Sequence, residues 1–541
     1  MQLWVALIRI NLFNNRFLYL TLLLYVVRLI KIEGENMMKK NVNSSLLKSV
    51  IVIFVSFFFV VSNASAWSLK EAAAPYKGKT IRIIGEALAP LESLNQQKKI
   101  FEDETGIKVI IEQQAFDQVI EKTTADFVGG TGIYDAILNP HVKFPFLVSN
   151  GWITPIDKML KNKKLADPNF KLKKEVLSND WLMASMGQNG DLYGVPFSAH
   201  TIYLNWRWDL FEHPDEQKNF KAKYGYDLPS PAVTMDHLRD TAEFFTRKKG
   251  EKLAGETLTQ DVFGIANSGK RHISMLWNYY NFLYAFDGKV VDSSNGPDYG
   301  KVVINNKAGV DSLNYYKDLL VNYGPTGSLD YTWDEQMAAM QSGLAVQSLL
   351  WADASYGISH DPESSKTVGK VAYSGTPIGK RKIVNLHQWG MFLPTSSKNP
   401  EAAWLFMQWT QRPEIQEKLM STGSISLSKS TYQQKSVQDL VYADTNYFIL
   451  SGGDLPTKGK YRKNGSPYGM SKEYANAKDP VTGKNAAVIF KLENFPESAQ
   501  VEEILMKHIS GVLAGQMSAQ QGLDKAVAEI YAEIPALAKY K

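Results

Sequence analysis

Residues 191–211 read Asp191-Leu-Tyr-Gly-Val-Pro-Phe-Ser-Ala-His200-Thr-Ile-Tyr-Leu-Asn-Trp-Arg-Trp-Asp-Leu-Phe211. Tyr193 to Phe197 is a short apolar run broken by Gly194 and Pro196, and 199–205 resumes with β-branched and aromatic residues. Both runs read as strands. Two strands in line, joined by small residues, predict a chain passing from one body into another. At 541 residues the chain exceeds what one core usually holds, so two domains or more are expected.

On the N-terminal side of this joint, strand and helix patterns alternate. Residues 79–85, 107–112 and 134–138 read as strands, and 94–105 and 116–128 read as helices stopped by Gly106 and by Gly129-Gly130. That order predicts an α/β fold with a parallel sheet covered on both faces and ligand-facing loops at the strand ends. On the C-terminal side come a helix at 235–248 capped by Thr234, a strand at 261–266, an aromatic helix at 273–286, and helices at 308–323 and 332–342. A strand at 343–351 ends on Trp351, 371–377 forms a second candidate crossing, and 389–393 follows as a strand. Helices are expected at 400–411, 501–509 and 518–530. The polar, Gly/Ser/Lys-rich region 421–482 reads as irregular surface.

The formal net charge of +5 resides in the first 66 residues, which hold seven Lys/Arg and two Glu, so the remainder is formally neutral. Nucleic acid or acidic lipid as the main partner loses its compositional support. Cysteine is absent, which excludes disulfides, thiolate metal sites, a Cys nucleophile and the cysteine of a lipoprotein anchor. Residues 37–66 read as a secretory signal: Met37-Met38-Lys39-Lys40, an apolar run at 50–61 too short to span a membrane, and the cleavage-like Ala64-Ser65-Ala66. Residues 1–36 are expected to be a non-native upstream extension, with translation starting at Met37 or Met38. Glu33-Gly-Glu-Asn-Met37 can be encoded as a ribosome-binding site ahead of a start codon, which the gene sequence would test.

The motifs of common enzymes fail on context. Gly264 to Arg271 fits phosphate-loop spacing until Arg271 replaces the Mg²⁺-binding hydroxyl residue, and Gly130-Thr131-Gly132 follows a helix rather than a strand. The eight histidines show no metal-ligand spacing, and no nucleophile elbow occurs. Nothing demands catalysis, a cofactor or a metal. Aromatic and amide-bearing residues do recur at predicted strand ends, where they suit ligands with C–H faces and hydroxyls. For any single ring, core packing is the competing role.

The order of these pieces resembles the family 1 extracellular solute-binding proteins of ABC importers, the group that includes maltose-binding protein. The resemblance is carried by Ile107-Lys-Val-Ile-Ile-Glu112, Gly132-Ile-Tyr-Asp135-Ala-Ile-Leu138, Leu192-Tyr-Gly-Val-Pro196 running into Ile202-Tyr-Leu-Asn205, Gln341 to Trp351, Ser397 to Trp409, and the tail Leu513-Ala-Gly515. It implies a type II periplasmic binding protein fold, two lobes joined by crossing hinge strands, in which a solute is captured in the cleft and handed to membrane permease subunits. Lobe one would be 76–197 plus 373–411, and lobe two 198–372 plus 412–541. Monomer is the family norm.

Site residues carry over only where a motif aligns. The resemblance places Trp351 and Asp353 at a sugar-stacking position, Trp389 where a Gly-rich turn faces the cleft, and Asn139 and His141 after a strand that often carries a ligand contact. The chain has Asn-Pro-His-Val-Lys there instead of a Trp followed by charges, which predicts a different ligand geometry. Glu86 after the first strand, His200 at the crossing and Trp277 complete the set; His200 reads equally as a packed hinge histidine. The expected ligand is a neutral carbohydrate or polyol and the expected location the periplasm. The rivals are a binder of a polyamine, thiamine or metal chelate, for which only Glu86 and Asp353 offer cleft carboxylates, and a secreted carbohydrate-active enzyme.

Overall fold

Ile81 and Ile83 of β1 (Thr80–Glu86) enter one buried cluster and Ile84 enters another, so both faces of the first strand are covered as a parallel-sheet strand requires. The computed structural model describes residues 67–541 apart from 141–142, 184, 188–189, 293–298, 386, 441, 452–470 and 491–494. The readings of 1–36, of 37–66 and of His141 lie outside the described residues. From β1 the chain runs through α1 (Ala89–Thr105), β2 (Lys108–Gln114), α2 (Phe116–Gly129), β3 (Ala136–Pro140), β4 (Gly194–Ala199) and β5 (Ile202–Arg207). It continues with α3 (Met235–Phe245), α4 (Ile273–Ala285), α5 (Lys307–Asn322), α6 (Trp333–Ser342), β6 (Gln347–Trp351), α7 (Ala352–Ser359), β7 (Val371–Ser374), β8 (Ile383–Asn385) and β9 (Gln388–Phe392). The last elements used below are α8 (Pro400–Thr410), β10 (Val488–Phe490), α9 (Ser498–Leu513) and α10 (Ala519–Glu533).

Two local signals act as expected, and a third helix start carries a cap of its own. Gly106 closes α1 in the left-handed region, the Thr234 hydroxyl accepts the His237 N–H at the start of α3, and Ser518 with Gln521 caps α10 reciprocally.

Among the described residues the larger sheet has the order β2-β1-β3-β9-β4, and a second sheet has the order β6-β5-β7. The β2-β1-β3 part is parallel, as expected, but β9 runs antiparallel to both neighbours, and the second sheet is antiparallel throughout. The difference has a topological cause: β9 returns from the second sheet and enters between β3 and β4 without the helical crossover a parallel strand needs.

The joint read from the sequence is present. β4 belongs to the first sheet and β5 to the second, with only His200 and Thr201 between them. The second crossing is displaced from 371–377, because β7 stays hydrogen-bonded to β5 and the return comes between β8 and β9. The two passages are tied together: the His200 N–H donates to the His387 carbonyl at 2.9 Å and the Thr201 hydroxyl to the Asn385 carbonyl at 2.6 Å.

Two further expectations are corrected. Residues 261–266 make isolated bridges to Arg247, Ala345 and Ser348 rather than a full strand. The region 421–482 is not irregular surface in its described part: Ile425, Leu427, Tyr432, Tyr442, Phe448 and Tyr474 join Leu177, Trp181, Ala199 and Tyr203 in a second core cluster, with Tyr432, Phe448 and Tyr474 on short helices. Its polar residues mask an apolar set spaced too irregularly for a periodic pattern. The phosphate-loop look-alike also acquires a packing reason, since a Cβ at Gly264 would strike the Ala242 backbone and one at Gly269 the Ser328 carbonyl.

Candidate functional site

Strand ends from both sheets meet where the two passages run side by side. β1 ends on Glu86, the β4–β5 joint presents His200, and β6 ends on Trp351. These residues enclose a cavity with Phe116 of α2, Trp333, Asp334 and Met337 of α6, and Asp353 of α7. The open space is about 20 Å³, room for about one water, so the walls stand close together.

The Trp351 indole lies flat on the His200 imidazole, with centroids 4.0 Å apart and planes 9° from parallel. Behind this stack is a buried polar knot. His200 Nδ1 is 2.8 Å from Asp353 Oδ2, the Trp389 indole N–H donates to the same oxygen at 2.8 Å, and the Ala354 N–H donates to Asp353 Oδ1 at 3.0 Å. Burial works to raise the Asp353 pKa, but its pairing with His200 and the two further N–H donors outweigh this and hold it below the usual carboxylate range. Trp389 reaches Asp353 because the ladder between β9 and β4 slips by one residue opposite Phe197, a bulge of the kind that re-aims side chains.

Glu86 behaves oppositely. It is half-buried, no described residue donates a hydrogen bond to its carboxyl or pairs with it, and its pKa is pushed well up by burial and then by Asp353, Asp334 and Asp117. Asp334 is also raised, by burial first and then by Glu335 and Asp117, with His272 opposing.

The structure thus gathers Trp351, Asp353, Trp389, His200 and Glu86 at one place. Trp277 of α4 stands one layer back. It is fully buried, meets Trp351 edge-on at 5.8 Å, and donates its indole N–H to Glu502 at 2.8 Å. Asn139 is buried in β3 opposite Gly390 and does not line the cavity; its Oδ1 has no hydrogen-bond partner among the described residues.

Four residues escaped sequence reasoning: Phe116 and Asp117, and Trp333 and Asp334. A signal for them existed. α2 and α6 each begin with an aromatic residue followed by Asp, and α7 follows Trp351 with Asp353 in its first turn, so three helix N-termini bring a ring to one cavity, with Asp334 and Asp353 in its wall and Asp117 exposed outside it. Around the rim, contacts join the elements on either side: Phe116 packs edge-on against Trp333 at 5.1 Å, Asp117 lies 3.5 Å from His272, and Lys143 lies 3.7 Å from Glu502. A larger cavity of about 170 Å³ lies between 167–176 and 408–413, but its Arg412 is already held by Glu104 and Asp167. Among the described residues there is no cluster suited to a metal ion.

A model of the bacterial extracellular solute-binding protein family matches residues 85–417. The chain is 20% identical over 373 residues to a probable amino-acid ABC transporter periplasmic-binding protein of Sinorhizobium fredii, covering 68% of this chain and 77% of that one. It is 22% identical over 489 residues to a maltodextrin-binding protein of Bacillus subtilis, covering 88% and 97%. Among solved structures, an ABC transporter solute-binding protein from Agrobacterium radiobacter in complex with ribitol superposes with a TM-score of 0.63 at 23% identity, covering 84% of this chain and 98% of that chain.

Proposed function

We propose that this chain, which belongs to the bacterial extracellular solute-binding protein family, captures a carbohydrate or polyol between its two lobes for an ABC importer. The observation that carries this reading is the cavity at the meeting of the two sheets, walled by Trp351, Trp333 and Phe116 and furnished with carboxyls and an imidazole. Aromatic faces pack on the C–H surface of a sugar while the polar groups take its hydroxyls. The maltodextrin-binding relative and the ribitol-bound structure support that ligand class.

Lobe one is taken as 76–197 plus the β9–α8 segment up to 411, and lobe two as 198–385 plus 412–541, with the passages at His200-Thr201 and between β8 and β9 as the hinge. Asp117–His272, Lys143–Glu502 and Phe116–Trp333 then act as contacts across the cleft. A 20 Å³ space cannot admit a sugar, so entry requires the lobes to part, and a ligand favours closure only by touching both. His200, locked between Asp353 and Trp351, serves the hinge and the cavity wall together. The leader at 37–66 directs the protein to the periplasm, where permease subunits receive the solute. No residue is assigned a catalytic role.

A thermal-shift panel of sugars and polyols tests the reading, because a ligand bound only by the folded state raises Tm by mass action. No shift with any of them, alongside one with a thiamine or metal chelate, would remove the carbohydrate reading, and product accumulating with time would favour an enzyme. Trp351→Ala is expected to weaken binding by about 1–3 kcal/mol, measured by titration calorimetry below the variant's own Tm. Unchanged affinity would return Trp351 to the core.

A further inference from the structure

Resting on the carbohydrate or polyol reading, but departing from the neutral ligand expected from the sequence, we propose that the solute carries an ammonium group, as an amino sugar or amine-bearing polyol does, and that Glu86 receives it between the rings of Trp351, Trp333 and Phe116. The cavity wall contains three carboxyls, Glu86, Asp334 and Asp353, with Asp117 at the rim. Three of the four lie in the first turns of α2, α6 and α7, where the helix N-terminus favours negative charge. Asp353 has His200 as well. Glu86 ends a strand and has neither a donor nor a cation from any described residue; all its charged neighbours are acids.

The basic side chains facing this region are committed elsewhere. His200 is bound to Asp353, His272 lies by Asp117, and Lys143 lies by Glu502 and over the Trp277 ring. A carboxyl so placed has two ways to exist: it keeps a proton, or it ionises against a cation that arrives from outside. The aromatic walls make the second route favourable, because the faces of Trp and Phe attract an ammonium that has shed its water. A hydroxyl in the same position offers no charge to the Glu86 carboxyl and its acidic neighbours. In the ligand-free protein burial and the neighbouring Asp353, Asp334 and Asp117 favour the protonated form of Glu86. When the ammonium docks, the ligand keeps its own protons and Glu86 releases one to the buffer.

The test compares matched pairs, glucosamine with glucose and glucamine with sorbitol, by titration calorimetry at pH 7 in two buffers of different ionisation enthalpy. The amine member of at least one pair is expected to bind about tenfold more tightly or better, a difference typical of one added close charge pair. Its binding should release a fraction of a proton that its hydroxyl partner does not release. Glu86→Gln is expected to abolish both the preference and the proton release, and the release in the unaltered protein stands as evidence even where that variant folds poorly. If a hydroxyl member binds as tightly as its amine counterpart, the ammonium assignment is overturned while the carbohydrate reading stands. If a plain diamine binds and no sugar or polyol does, the carbohydrate reading falls, and the assignment of Glu86 to a cation survives only if Glu86→Gln removes that binding.

Discussion

Two buried charge clusters in this molecule are built on opposite rules. In the first, Lys382 and Asp479 tie residues 471–490 to the passage between β7 and β8. The Lys382 ammonium donates to the carbonyls of Tyr474, Ala477 and Asn485 at 2.8–3.0 Å and lies over the rings of Phe448 and Tyr474. Asp479 accepts from the N–H groups of Lys382, Val481 and Thr482 and from Arg381. In the second cluster, at the cavity, Glu86 has acids for neighbours and no donor among the described residues. At the first cluster the chain supplies every partner itself; at the cavity it does so for Asp353 and, among the described residues, leaves Glu86 without one. That contrast separates a fastener from a receptor, although both are buried polar sites in the same fold.

The largest expected effect comes from breaking the fastener. Asp479→Ala strips the acceptor from three backbone N–H groups and from Arg381, which should cost about 3–5 kcal/mol in chemical unfolding. Loss of less than about 1 kcal/mol would mean that residues 471–490 are held by apolar packing alone, and the contrast would lose its structural half.

A smaller effect follows from acid. Burial works against the Asp479 charge, but its backbone donors and Arg381 lower its pKa from 3.8 to about 2. The folded value lies below the unfolded one, so the native state binds fewer protons, and the contribution is complete above pH 4 and lost as pH falls through about 2. It amounts to about 2 kcal/mol. Stability measured between pH 5 and 2 should therefore fall less steeply in Asp479→Ala than in the unaltered protein; parallel curves would contradict the assignment.

How much of this was legible depends on whether a feature is local. The strand runs around His200, the Gly106 stop and the Thr234 cap depend on neighbours in sequence, and the expected elements match. Trp351, Asp353 and Trp389 were reached through the family resemblance, and Glu86 and His200 through their places at a strand end and at the crossing. The aromatic-Asp pairs of α2 and α6 were not recognised, because an Asp in a first helical turn already has a sufficient local reason to be there. The position of β9, the displaced return passage and the core built from 421–482 depend on contacts between segments over a hundred residues apart, for which periodicity carries no signal. Likewise Lys382 and Asp479 look like ordinary surface charges until the fold brings 381–382 against 471–485.

The smallest predicted effect sharpens the receptor half of the contrast. Glu86 has its folded pKa raised, so the native state binds more protons than the unfolded chain, and its contribution to stability is present at low pH and lost as pH rises through its folded value. This slope is opposite in sign to that of Asp479. Glu86→Gln keeps the shape of the side chain and removes the titration, so the ligand-free variant should match the unaltered protein near pH 4 and exceed it at pH 8, by about 1 kcal/mol or less. Adding the proposed amine should reverse the order: the unaltered protein gains the charge pair and its Tm rises above that of the variant, by an amount that shrinks as salt screens the attraction. A Glu86→Gln variant less stable than the unaltered protein at pH 8 without ligand would show that Glu86 is already satisfied within the fold. The two clusters would then differ in position and not in kind.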